Sequence, residues 1–229
     1  MRTGKSIGRI TGILLLVQLA GLIVPFVLLH PAATSDFLVN AAPNSFQIKA
    51  AVLLLFANCA LTIGISIAAF PVFRRYSPAI AVLLVAVSVI MFSLQAVDNA
   101  HLMSMLSLSR EYIRSGGGSN EFFQTLAAVV RSTRRWAHYA ELLVIDSWIC
   151  VLYGLLYRFA LVPRALAVFG LITVLLHFAA IPLPLLLGYT GVTMLGVPMA
   201  LSHIALALWL IIRGLEEEHR PMRAGEHKI

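Results

Sequence analysis

Six long apolar runs decide what this chain can fold into. They lie near Ile10–Leu29, Ala50–Phe70, Ala79–Asn99, Ala137–Leu156, Ala165–Leu187 and Val192–Ile212. A helix of about 20 residues crosses the roughly 30 Å of hydrocarbon in a bilayer, and each run meets that length. In hydrocarbon every backbone N–H and C=O must pair within the chain, which a helix achieves locally. The sequence therefore predicts an all-α, polytopic membrane bundle of six transmembrane helices, a single integral-membrane domain over residues 1–229. Composition agrees, since only 12% of the residues are charged against about 25% in soluble domains.

The net charge of +7 comes from Arg and Lys in the short segments between apolar runs. That is the pattern of positive charge flanking membrane spans, and it points to membrane lipids as partners and away from nucleic acid. With both termini cytoplasmic, eleven Lys and Arg fall inside and six outside, which favours that orientation. The first run, preceded by Arg2, Lys5 and Arg9, could pass for a signal peptide, but it exceeds the roughly 7–15 apolar residues of one. Cys59 and Cys150 sit inside apolar runs and read as small buried hydrophobes.

The interval of about residues 105–136 has its own pattern. Ser115–Ser119 spells a flexible Ser-Gly-Gly-Gly-Ser hinge and lacks the Lys-Ser/Thr of a phosphate loop. Beyond it Phe122, Leu126, Val129 and Val130 recur at helical spacing opposite Gln124 and Arg131. This suggests an interfacial amphipathic helix between spans three and four; an extension of the fourth span is the other reading.

Polar residues inside the runs carry the functional signal, because each ionisable group there costs a few kcal/mol without a partner or purpose. Span three holds Gln95, Asp98 and Asn99 on one face, with His101 flanking it. Span four holds His138 and Glu141, then Asp146 deeper; span two holds Asn58, span five His177 and span six His203. A rise of about 1.5 Å per residue puts Asp98, His101, His138 and Glu141 near the outer interface. With Asn58 they form the candidate ligand-binding set. Asp146, His177 and His203 each fall roughly 15 Å from a span end and form the candidate metal set. Zinc or another divalent transition metal suits such donors. The pairs Asp98/His101 and His138/Glu141 echo the carboxylate–histidine spacing of helical metal sites. Proton or substrate handling in a wet cavity is a second reading, and hydrogen bonding that merely joins helices is the plain alternative. A haem on His177 and His203 fits the matched depth but lacks a second histidine pair.

No hydrolase, zinc-protease or nucleotide-binding motif is present. Ser202 beside His203 is weak, since adjacent helical residues point about 100° apart. Gly8 and Gly12 fit GxxxG at the edge of the first span, a weak sign of dimerisation.

Three short motifs carry a resemblance. They are Arg9-Ile10-Thr11-Gly12, the turn Tyr157-Arg158 with Leu161-Val162-Pro163-Arg164-Ala165-Leu166, and Leu208-Trp209-Leu210-Ile211-Ile212-Arg213-Gly214. Their order and spacing resemble the bacterial membrane family known as domain of unknown function 4386, over essentially the whole chain. The resemblance implies a six-helix protein of the bacterial inner membrane and implies no activity. The leading expectation is a polar Asp/Glu/His site in the outer half of the bundle that binds or processes a small or lipidic ligand, with or without a metal. A non-enzymatic accessory protein comes second and a small transporter third.

Overall fold

Backbone pairing is satisfied locally almost everywhere. The computed structural model describes residues 4–118, 121–187 and 195–216, and among them there is no strand. Among the described residues four helices are long and apolar enough to cross a membrane: α1 (Gly4–Leu28), α4 (Ser45–Tyr76), α5 (Pro78–Arg114) and α6 (Glu121–Arg158). Two short helices, α2 (His30–Ala33) and α3 (Phe37–Asn40), link α1 to α4. The chain closes with α7 (Arg164–Ala180), α8 (Pro182–Leu187) and α9 (Val197–Ile212).

The last two expected spans are shorter than the sequence implies. Helix α7 has 17 residues and α9 has 16, each about 25 Å long. Pro182 cannot donate a backbone hydrogen bond, and α7 ends just before it. Val192, the expected start of the sixth run, lies outside the described residues. So do Ser119 of the hinge, and Arg2, Arg220, Arg223 and Lys228 of the charge count.

The interfacial helix does not form as a separate element. Helix α6 runs unbroken for 38 residues and α5 for 37, each roughly 55 Å. Glu121–Tyr153 contains neither Gly nor Pro, so nothing breaks the helix where its apolar character fades. The turn between α5 and α6 begins at Gly116 and Gly117, both at positive φ, where glycine costs least. The Gly117 N–H donates to Tyr112 O at 3.1 Å, satisfying a carbonyl at the end of α5 in the manner of a glycine C-cap.

The overhanging ends of α5 and α6 are braced by α2 and α3. Ser109 Oγ donates to Leu38 O at 2.7 Å and accepts from Ala42 N–H at 2.9 Å. The Arg131 guanidinium lies 5.2 Å from the Phe37 ring and donates to Ser35 O. A small apolar core of Phe37, Ile48, Leu102, Met105 and Leu106 fills this end.

The larger helices form a closed ring in the order α1, α4, α5, α6, α7, α9, with α9 packed back on α1. Trp148, Tyr153, Leu15, Ile65, Leu84 and Leu206 belong to its core. Trp148 Nε1 donates to Ser66 Oγ at 2.9 Å, tying α6 to α4. Gly8 and Gly12 serve the closure of the ring: a Cβ on Gly12 would lie 2.7 Å from Ala207 O, and one on Gly8 would lie 2.4 Å from Leu215 N. The small residues of the GxxxG pattern thus let α1 approach its own chain's C-terminal helix.

Gly12→Ala should lower the stability of the detergent-purified protein by about 1–3 kcal/mol, the usual cost of overpacking. Ile13→Ala, on a residue 51% exposed, should shift it by no more than about 0.5 kcal/mol. Thermal denaturation compares them, and an equal Tm for both would show that α1 and α9 do not meet closely at Gly12.

Candidate functional site

The ring is apolar outside and encloses, within a largely apolar core, the ionisable side chains that a soluble protein would expose. Phe26 is 82% exposed and Ile23 66%, while Asp98 is 1% exposed, Glu141 3% and Asp146 0%. Each helix presents its polar residues inward because they share one face at i, i+3 or i+4 spacing. Among the described residues, three inner features result: an acid–histidine group, a cavity beside it, and a separate Asp–His pair.

The acid–histidine group spans the α5–α6 seam. Asp98, His138 and Glu141 each bring one potential ligand atom within 4.8 Å of the others. His138 Nδ1 stands 3.6 Å from Glu141 Oε2, and Arg134 Nε stands 3.5 Å from Asp98 Oδ1. Those separations are too long for good hydrogen bonds. Asp98 Oδ1, Arg134 Nε and His138 Nδ1 are in fact buried with no hydrogen-bond partner. His101 is not part of this group and is half-buried. It is turned about 110° from the mean direction of Gln95, Asp98 and Asn99 around the helix axis, which takes it off the seam. The two acids are fully enclosed by the ring, Asp98 at 1% and Glu141 at 3% exposure. Asp98 lies well inside, with 16 further residues of α5 beyond it, about 24 Å of helix.

A cavity of about 200 Å³ adjoins the group. Its walls are mostly apolar, from Leu19, Leu22, Met91, Ile145, Ile149 and Met199, and its polar lining is Gln18, Asn58, Cys59, Gln95, Glu141 and His203. Leu22 is also 45% exposed, so the cavity reaches the outer face of the described helices. Most of the amides are already committed. Gln95 Nε2 donates to Asn99 Oδ1 at 3.1 Å, Asn99 Nδ2 donates to Val52 O at 3.3 Å, and Gln18 Nε2 donates to Thr62 Oγ1. Cys59 Sγ donates to Gln95 Oε1 at 3.6 Å. Asn58 belongs to this cavity and packs against Gly21, where a Cβ would stand 2.9 Å from its Oδ1.

His203 Nδ1 bonds Met199 O at 3.0 Å. A carbonyl only accepts, so Nδ1 carries the proton and the neutral ring keeps its lone pair on Nε2. Glu141 and His203 are the two cavity residues with ionisable acid or base groups besides the Cys59 thiol.

The third feature is Asp146 with His177. His177 Nδ1 lies 2.8 and 2.9 Å from the two carboxylate oxygens of Asp146, joining α6 to α7. The metal set of Asp146, His177 and His203 is not assembled: His203 bonds its own helix, stacks edge-on with Tyr153 and lines the cavity instead. Matched depth placed the three at one level, but rotation about each helix axis aims them differently. Ser202 likewise joins helices, with its hydroxyl 3.0 Å from Thr173 Oγ1 and 3.4 Å from Tyr153 OH. It is not aligned with His203 as a nucleophile and base.

Sequence reasoning missed Gln18, Cys59 and Arg134. Gln18 is the only amide in the first apolar run, a signal that was there to be read. Arg134 counts in the sequence only as a flanking positive charge, although it stands one helical turn before His138 on the same face.

A carboxylate–histidine pair that only holds helices leaves a mark in thermodynamic coupling. Asp146→Asn and His177→Ala, alone and together, should give an interaction energy of about 1 kcal/mol or more. Additive losses in detergent unfolding would mean that the pair contributes nothing to the α6–α7 contact.

The fold and this interior define a class: a polytopic helical bundle of membrane type with a buried acid–histidine group. Within it, the chain belongs to the family described as domain of unknown function 4386, which matches residues 10–214. Comparison with curated proteins gave no match, and comparison with solved structures gave none.

Proposed function

We propose that this is a six-span protein of the bacterial inner membrane, with both termini cytoplasmic, that takes a small amphiphilic or lipidic ligand into the cavity inside its helix ring. The observation that carries the reading is the cavity itself. It is apolar over most of its wall and carries the Glu141 carboxylate and His203 imidazole, with Leu22 exposed among its lining. A site of this composition suits a ligand with an apolar body and one polar head, since a few placed polar groups fix orientation while apolar walls supply contact area. Glu141 would accept hydrogen bonds from the head, and His203 Nε2 would accept one more.

The six-span count is supported by the closed ring of six helices and by α8, which follows α7 after one residue. Together α7 and α8 cover residues 164–187, about 36 Å if nearly continuous. The inward position of the termini rests on the Lys and Arg distribution. An even span number places both on one side, and the Gly116–Gly118 turn on the other. A reporter fused at residue 118 should be active outside the cytoplasm, and one at the C-terminus inside; the reverse pattern would refute the orientation.

Ligand capture has its own measurement. Protein purified in mild detergent should retain a small molecule detectable by native mass spectrometry or by solvent extraction. Ala200→Trp, which fills the cavity from α9, should remove it. Glu141→Gln and His203→Ala should each reduce retention by about tenfold, on the scale of one lost charge-assisted hydrogen bond. Equal retention by wild type and Ala200→Trp would count against the cavity as the site.

A further inference from the structure

We infer that Asp98, His138 and Glu141 form a divalent transition-metal site at the polar end of the cavity, with zinc the best-suited ion. Three observations carry it. The first is the donor set. Two carboxylate oxygens and one imidazole nitrogen from adjacent antiparallel helices lie within 4.8 Å of one another. On a tetrahedral zinc with bonds of about 2.0–2.2 Å, neighbouring ligand atoms stand roughly 3.3–3.6 Å apart. The His138 Nδ1 to Glu141 Oε2 separation of 3.6 Å already meets that edge, and side-chain rotation closes the rest. Three protein ligands would leave a fourth position toward the ligand cavity, through Glu141, which lines both.

The second observation is what the donors lack. Asp98 Oδ1 is buried without a hydrogen-bond partner, on a side chain only 2% exposed. His138 Nδ1 likewise has no hydrogen-bond partner, although its side chain is 44% exposed and the atom stands 3.6 Å from Glu141 Oε2. Buried polar atoms are nearly always hydrogen-bonded, and two that have only longer ion-pair contacts, in one small group, mark a position that an ion would fill.

The third is charge. Two carboxylates at 1% and 3% exposure repel one another, and buried charge is tolerated only when compensated. Arg134 supplies one positive charge at 3.5 Å from Asp98 Oδ1, but its Nε makes no hydrogen bond. A divalent cation would balance both acids directly, and Arg134, whose side chain is 20% exposed, has room to withdraw. The arrangement differs from a simple acid–arginine lock, in which the guanidinium fork would hydrogen-bond the carboxylate.

This inference rests on the cavity reading only for the use of the fourth position, and its test is independent of any ligand. Full-length protein in detergent is stripped with a chelator and titrated with Co2+ alone, followed by its visible absorption, with Zn2+ as competitor. Wild type should take up one Co2+ per chain with the intense bands of a four-coordinate site, and Zn2+ should displace it. Asp98→Asn, His138→Ala and Glu141→Gln should each weaken binding by at least about tenfold, since even outer-shell changes cost that much. Arg134→Gln should retain the fold, judged by Tm, and bind several-fold more tightly because a competing cation is gone. His101→Ala should bind as wild type does. The inference is overturned if wild type gives no saturable Co2+ bands, if His101→Ala loses as much as His138→Ala, or if Arg134→Gln binds more weakly. Ala200→Trp separates the two readings: it should lose the cavity ligand yet keep the metal. If metal binding fails while wild type still retains a ligand that Ala200→Trp releases, the metal site falls and the cavity reading stands.

Discussion

Asp98 on α5 faces His138 and Glu141 on α6, and both acids are withdrawn from solvent deep inside the ring. In low dielectric two such carboxyl groups cannot both be ionised without compensating charge, so the α5–α6 seam must supply either a proton or a cation to them. Its length sets the depth at which they lie. Both helices overrun the hydrocarbon thickness, and α2 and α3 brace their overhanging ends through Ser109, Phe37 and Arg131. Asp98 is thereby carried far from either end of α5, and Glu141 far from either end of α6, instead of sitting at a frayed edge.

The rest of the ring isolates this centre. Small residues bring α1 against α9, Trp148 ties α6 to α4, and Asp146–His177 ties α6 to α7. Each tie uses a polar or small side chain because lipid offers no hydrophobic drive between helices. The polar inventory therefore divides by geometry. Ser66, Thr173, Ser202 and the Asp146–His177 pair bridge helices with their bonds completed. Asp98, His138 and Arg134 keep buried atoms with none.

Much of this was legible in the sequence, and the failures have identifiable causes. The apolar runs mark α1, α4, α5 and α6, because a stretch of that length has no other solvent. Their ends were not legible. Hydropathy reports where lipid stops, whereas a helix stops at a breaker, and none occurs between Glu121 and Tyr153. Asp98, His138 and Glu141 could be brought near one another on paper because consecutive antiparallel helices usually pack side by side, and residues equally far from the connecting turn then lie at one level. His101 and His203 could not be placed so. Depth along a helix follows from counting residues, but rotation about its axis follows from which neighbour it packs against, and that is a property of the closed ring. Arg134 was hidden because its register with His138 depends on the helix running unbroken between them, which the extension reading allows and the separate interfacial helix does not.

Glu141 is where the two halves of the interior meet, since it lines the cavity and belongs to the acid–histidine group. Its position ties the energetics of one to the occupancy of the other. A ligand whose head hydrogen-bonds Glu141 draws on the same carboxyl group that lies beside Asp98 and His138. A cation held between Asp98 and His138 would relieve the repulsion between the two ionised acids and hold Glu141 in one rotamer, pre-organising the cavity's polar wall. Without such an ion, Glu141 must be balanced by His138 across 3.6 Å while Arg134 attends to Asp98. Ligand binding and cation binding at this seam are then linked, and linkage is reciprocal: an ion that orders Glu141 for the ligand must itself be held more tightly when the ligand is in place.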